Sequence, residues 1–203
     1  MPAGAEERAV RAAAPRARIV VVRPGARASE IAASVTDGPA VILGLCGALR
    51  TLGVGDAALY TGVCDDRDAI ALDAAPLAAL AASLPEAAHV RAFTAARVVT
   101  RVAERRRLAV AYDADVVDME GTHLARTLQA RGIPFGMVRV VSDDGRFDLP
   151  PIEDAIDADG ALRPLQLLAA FASDPAGSIR FVRDVTRSLR ALGALAARLA
   201  ELR

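Results

Sequence analysis

The sequence predicts a single three-layer α/β/α domain (residues 1–203) around a mixed, mostly parallel central sheet. Three observations predict it. Short β-branched apolar runs alternate with longer segments of helical period. Several of the runs are continuously apolar, the type buried on both faces of a sheet. At 203 residues, 53% hydrophobic and 25% charged, the chain can bury one ordinary core.

The elements follow in order. RIVVVR (Arg18–Arg23) is a β-branched run closed by Pro24-Gly25, hence a strand, and ASEIAASV (Ala28–Val35) has helical spacing with Ser29 as its cap. AVILGL (Ala40–Leu45) is a buried strand leading through a Gly-punctuated loop to a second, AALYTGV. LAALAASL (Leu77–Leu84) is a helix, HVRAFTA a strand and AERRRLAVAYD (Ala103–Asp113) an amphipathic helix. ADVVDM is then a strand, EGTHLARTLQARG a helix stopped by Gly132, and IPFGMVRVVS a buried strand. A Pro/Asp-rich loop leads to two closing helices, LRPLQLLAAFA and SIRFVRDVTRSLRALGALAARLAELR.

Composition removes several function classes. Twenty-five basic residues balance 25 acidic ones, so no field favours nucleic acid or an anionic membrane. Every basic residue apart from histidine is Arg, and Ala abounds, which reads as coding bias. Five Phe, two Tyr and no Trp leave few stacking platforms. Cys46 and Cys64 form no CxxC, and with His89 and His123 they form no metal motif; they read as buried thiols of a reducing cytosol. The N-terminus lacks the apolar region of a signal peptide, and no run reaches membrane-spanning length, so a soluble cytoplasmic protein is expected.

Two acidic clusters then stand out. VVDMEG (Val116–Gly121) ends one strand, and VVSDD (Val140–Asp144) ends the next. Adjacent parallel strands would bring both turns into one crevice at the carboxyl ends of the sheet. There Glu120 could hold both hydroxyls of a ribose, while Met119 offers a thioether surface to the sugar. A partly desolvated Asp143 could act as general acid, the group that cleavage of a glycosidic bond demands. Each acid alone also suits a helix cap or first turn.

Together the clusters resemble the purine nucleoside phosphorylase and nucleosidase superfamily, particularly its methylthioadenosine/adenosylhomocysteine nucleosidase branch. That family carries a Met-Glu turn and then (V/I)P(F)xxVRxxSD; here they are Val117-Asp118-Met119-Glu120-Gly121 and Ile133-Pro134-Phe135 to Val138-Arg139-Val140-Val141-Ser142-Asp143. The likeness runs back through GLCGAL (Gly44–Leu49, with Gly47) and VGD (Val54–Asp56) to about Ala17. It implies that Glu120 binds ribose hydroxyls, Met119 packs on the sugar, and Asp143 protonates the purine with Ser142 positioning it. It implies a water-activating glutamate in GAEERAV, with Glu6 the better match and Glu7 the fallback; a solvated helical face is the plainer reading of that pair. The family places a strand before this segment, and here only Met1 to Ala3 precede Gly4, so the sheet lacks that strand or the start lies upstream.

The resemblance puts base binding at TAARVV (Thr94–Val99), where Val98, beside Val99, stands in place of a stacking aromatic. Leu45 and Ile42 occupy positions where the phosphorylase branch grips phosphate, which favours water as nucleophile and no cofactor; RPGAR (Arg23–Arg27) could still serve phosphate as co-substrate. The overall layout is most similar to bacterial hopanoid-associated phosphorylases, whose implied substrate is adenosylhopane, releasing adenine. The expectation is hydrolysis of a 5′-substituted adenosine-type nucleoside by a homodimer or larger homo-oligomer. The alternatives are a phosphate-dependent phosphorylase, and a nucleoside-binding protein that kept the fold without catalysis.

Overall fold

The computed structural model describes residues 4–21, 38–152, 155 and 163–201. Among them are six strands: β1 (Ala40–Ala48), β2 (Ala57–Cys64), β3 (Ala69–Ala71), β4 (Ala88–Thr94), β5 (Val116–Asp118) and β6 (Phe135–Asp143). The helices are α1 (Ala5–Ala13), α2 (Ala74–Ser83), α3 (Val102–Ala111), α4 (Gly121–Ala130), α5 (Pro164–Ser173) and α6 (Pro175–Ala200). All but α1 and β3 correspond to segments read by period. Residues 18–21 are not in a strand; residues 22–23 and the helix expected at Ala28–Val35 lie outside the described residues.

The α/β class with a mixed sheet holds. Strand order is β3-β2-β4-β5-β1-β6, and β2 also pairs with β6, so five strands close into a ring. One edge of β2 serves both neighbours: Ala57 to Leu59 meet β6, and Gly62 to Cys64 meet β3. Pairing is parallel in β1–β6, β2–β4 and β4–β5, and antiparallel in β1–β5, β2–β3 and β2–β6.

One expectation is overturned. β5 and β6 are neither adjacent nor parallel: β1 lies between them, parallel to β6 and antiparallel to β5. Like every strand of the ring, β1 is paired on both edges, and it is the strand that comes between these two. The two acidic turns therefore leave their strands in opposite directions, and the rule placing ligands at a common carboxyl edge does not bring them together. What does is register, because Gly47 of β1 is opposite Val117 on one side and Asp143 on the other.

Alternation along β6 sorts its side chains between two layers. Phe135, Met137 and Val141 join the cluster of Ile42, Tyr60, Val116 and, from α4, Leu124 and Leu128. Val138 and Val140 face the other way, onto Leu59 and the cluster supplied by α1, α2 and α6. Asp174 caps α6 by accepting from the Gly177 N–H at 2.9 Å, with Pro175 preorganised in the first turn. Buried Ser188 of α6 donates to the Val141 carbonyl at 2.7 Å, pinning the helix to the sheet. Fully buried Leu192 and its neighbours Leu195 and Ala196 then receive Val10 and Ala14, which seats α1. A buried aliphatic of this size contributes roughly 1.5–3 kcal/mol. Among the described residues no helix is long and apolar enough to cross a membrane.

Candidate active site

The β5–α4 turn is built on Asp118. This buried carboxylate accepts from the Thr94 hydroxyl at 2.9 Å and from the Gly121 N–H at 3.0 Å. Thr94 Oγ1 in turn accepts from the Thr122 N–H and hydroxyl, both at 2.9 Å, so the first free donors of α4 are satisfied. A Cβ at residue 121 would lie 2.6 Å from Asp118 Oδ2, which leaves glycine as the residue that fits. The turn thus holds Met119 and Glu120 rigidly at the helix start.

Beneath them lies Arg139, a charge in the middle of an apolar strand and 1% exposed. Its Nε is 3.2 Å from Asp118 Oδ2 and its Nη2 is 2.9 Å from Glu120 Oε2; Nη1 donates to the Leu45 carbonyl at 3.2 Å. Burial works against the guanidinium charge, but Asp118 and Glu120 outweigh it, and Arg139 is held above its ordinary value. Glu120 is pushed up by burial, with Arg139 pulling against that and Asp118 adding to it. One cation therefore organises two carboxylates whose side chains almost wholly escape solvent.

Asp143 is aimed by an irregularity. Register between β1 and β6 slips at Cys46/Gly47, where Cys46 pairs with Val141 and Gly47 with Asp143. Ser142 is the extra residue, and its hydroxyl donates to the Cys46 carbonyl at 3.0 Å, closing the bulge. Asp143 meets the guanidinium of Arg105 on α3 in a buried ion pair. Burial raises Asp143 above the usual carboxylate range, and Arg105 opposes the rise. Past the strand, Asp148 accepts from the Val102 N–H at 2.8 Å and pairs with Arg101 at 3.1 Å, strapping the loop to the start of α3.

From the opposite wall α1 contributes Glu6. Its carboxyl is buried, and Oε2 has no hydrogen-bond partner among the described residues. Burial first, and then the charge of Glu120, lift it from 4.5 to about 7. Glu7 points elsewhere and pairs with Arg11 at 2.8 Å on the helix exterior, so of the two candidates only Glu6 faces the site.

These parts enclose a cavity of about 360 Å³, a volume suited to a nucleoside. Every sequence-predicted site residue borders it: Glu6, Gly47, Val98, Val99, Met119, Glu120, Ser142 and Asp143. The carbonyl of Val99 is already taken by Arg105, at 2.9 and 2.7 Å, and Val98 packs toward Ile152, Phe171 and Phe181. Sequence reasoning missed Arg105, Asp118 and Arg139 as members of the site. For Arg139 the signal was present, since a charge inside a buried strand demands a counter-charge. Phe181, Val185 and Leu189 of α6, with Leu149 and Ile152, make a further part of the wall apolar. The arrangement can grip a diol through a held carboxylate, take a proton at Glu6 near neutrality, and give one from Asp143.

A family model described as "Phosphorylase superfamily" matches residues 24–172. No curated protein shows a significant match. Among solved structures, the chain resembles a 5′-methylthioadenosine/S-adenosyl homocysteine nucleosidase of Campylobacter jejuni, at 13% identity and a TM-score of 0.69, covering 98% of this chain and 95% of that one. It resembles a 5′-methylthioadenosine nucleosidase of Arabidopsis thaliana at 18% identity and 0.58, over 89% and 71% of the two chains. Futalosine hydrolase of Helicobacter pylori gives 15% and 0.57, over 82% and 76%.

Proposed function

Because the chain belongs to the phosphorylase superfamily, we propose that it hydrolyses the N-ribosidic bond of a 5′-substituted adenosine-type nucleoside and releases the purine. The observation that carries this reading is that the carboxyl groups of Glu6, Glu120 and Asp143 border one nucleoside-sized cavity, from three different elements. Glu120, held by Arg139, takes the ribose hydroxyls, and Met119 packs on the sugar face. Asp143 protonates the departing purine, while Glu6 takes a proton from the attacking water. A base titrating near neutrality matches its operating range.

Two observations support the finer choices. Among the described residues, each arginine lining the cavity is already engaged: Arg97 with Glu104, Arg105 with Asp143, Arg139 with Asp118 and Glu120; Arg23 and Arg27 of RPGAR lie outside the described residues. That favours water over phosphate. The apolar wall of Leu149, Ile152, Phe181, Val185 and Leu189 suits a greasy 5′ substituent, as an adenosylhopane-like substrate would carry.

The test is a panel of nucleosides incubated with and without phosphate, with released base and sugar separated by chromatography. Adenine and free sugar should appear without phosphate. Turnover that requires phosphate and yields a ribose 1-phosphate selects the phosphorylase instead. Calorimetric binding of adenosine analogues with no base release selects a binding protein.

A further inference from the structure

Arg105 has no part in the reaction just described, yet it is a buried and tightly constrained cation at the cavity. It lies on the first turn of α3 and is 2% exposed. Its Nε and Nη2 both donate to the Val99 carbonyl, and its Nη1 donates to the Ala48 carbonyl at 3.2 Å. The forked head is thereby fixed on two sides by backbone, and a planar guanidinium fixed on two sides has one direction left. That direction is Asp143 Oδ1. Among the described residues, Asp143 is the one carboxylate paired with Arg105, because neighbouring Glu104 turns to Arg97. Gly47 completes the fit from β1, since a Cβ there would lie 3.0 Å from Asp143 Oδ2 and 3.2 Å from Arg105 Nη1.

A carboxylic acid in a dry cavity is a reluctant donor, because the anion it leaves has no water to solvate it. A guanidinium held against that carboxyl meets the need without moving. We propose that Arg105 is a positioning residue for proton transfer, orienting Asp143 and stabilising the carboxylate left when its proton passes to the purine. This inference rests on the proposed nucleoside hydrolysis. In that step the bond between C1′ and the purine nitrogen breaks with its electron pair going to the base, and the base accepts the Asp143 proton. Water forms the new C1′–O bond and gives its proton to Glu6. Between turnovers Glu6 loses a proton to solvent and Asp143 regains one.

Among the described residues, the groups that act on Asp143 are Arg105 from α3, Asp144 beside it in the chain, the Gly145 N–H, and the Cys46 thiol from β1. Of these only Arg105 carries positive charge, so replacing it has a specific signature. The side-chain carboxyl of Asp143 is titrated by carbon NMR in the wild type, Arg105→Gln and Arg105→Lys, with Asp143→Asn giving the assignment. In Arg105→Gln the titration should move to higher pH by about one unit or more. In Arg105→Lys, which keeps the charge, it should stay within about 0.3 unit of wild type. Base release in Arg105→Gln should fall about 10- to 100-fold in kcat, with KM changing less than about threefold.

A folded Arg105→Gln protein whose Asp143 titrates where the wild type does overturns the proposal. If that variant does not fold, Arg105→Lys decides: a displacement of about a unit overturns the proposal, and an unmoved titration supports it. A wild type that releases no base from any nucleoside instead overturns the functional reading, and the titration reports on the pair independently of that failure.

Discussion

Arg139 and Glu120 meet at 2.9 Å with side chains 1% and 6% exposed, so Arg139 is the main support for a charge on Glu120 away from water, while Asp118 and then Glu120 support the charge on Arg139. The pairing ties fold to site. Arg139 belongs to the apolar layer of β6 and Glu120 to the turn that opens α4; their contact, with Asp118 as second partner at 3.2 Å, locks the turn onto the sheet. Desolvation of an unpaired ion there would cost several kcal/mol.

Replacing Arg139 alone should therefore be severe. Arg139→Met is expected to lose about 3–5 kcal/mol, because it strands two buried carboxylates. Urea unfolding measures this, and a midpoint equal to wild type would contradict the network described.

Glu6 gives stability a pH dependence of definite sign. Its folded value of about 7 lies above its ordinary 4.5, so the native state holds this proton more tightly than the unfolded chain does. The contribution is fully present below about pH 4.5 and is lost as pH rises through about 7, amounting to about 3 kcal/mol. Glu6→Gln should accordingly be more stable than wild type at pH 8 and equal to it at pH 4. Equal melting curves at pH 8 would show that the carboxyl is solvated.

Asp143→Asn keeps the shape of the acid and removes its proton. Base release should fall by about 10²- to 10⁴-fold while circular dichroism remains native. An active variant rules out the general-acid role. Some loss of melting temperature is expected as well, because Arg105 then faces a neutral amide.

Glu120→Gln should raise KM and lower kcat/KM by about 10- to 150-fold on ribonucleosides, the worth of a hydrogen bond to a charged group. On a 2′-deoxy substrate the same substitution should matter much less. Identical losses on both would mean that Glu120 does not touch the sugar hydroxyls.

Gly47→Ala tests the packing between the strands. The added methyl would lie 3.0 Å from Asp143 Oδ2, 3.2 Å from Arg105 Nη1 and 3.3 Å from Val117 Cγ1. Overpacking of this kind costs about 1–3 kcal/mol, and it should depress kcat more than substrate affinity. A fully active variant with an unchanged melting temperature would show that the neighbours yield freely.

Most of this architecture was legible because helical and strand periods are strong over these segments. The acidic turns were legible because their residues are contiguous in the chain. Strand order was not: nothing in Ala40–Leu45 says that it separates two strands more than 70 residues further along. β3 carried no signal because Ala69-Ile70-Ala71 has one β-branched residue between two alanines, whereas the equally short β5 sits in a β-branched run. Arg105 escaped notice as the first of three consecutive arginines in a segment read only as an amphipathic helix; its rotation toward Ala109, the other buried residue of α3, distinguishes it from Arg106 and Arg107.

The intervening position of β1 acts as a gauge. Neighbouring strands sit about 4.8 Å apart, so ends flanking a single middle strand stand about 9.6 Å apart. On the proposed reading, that spacing would put one acid in reach of a furanose rim while the other attends the heterocycle.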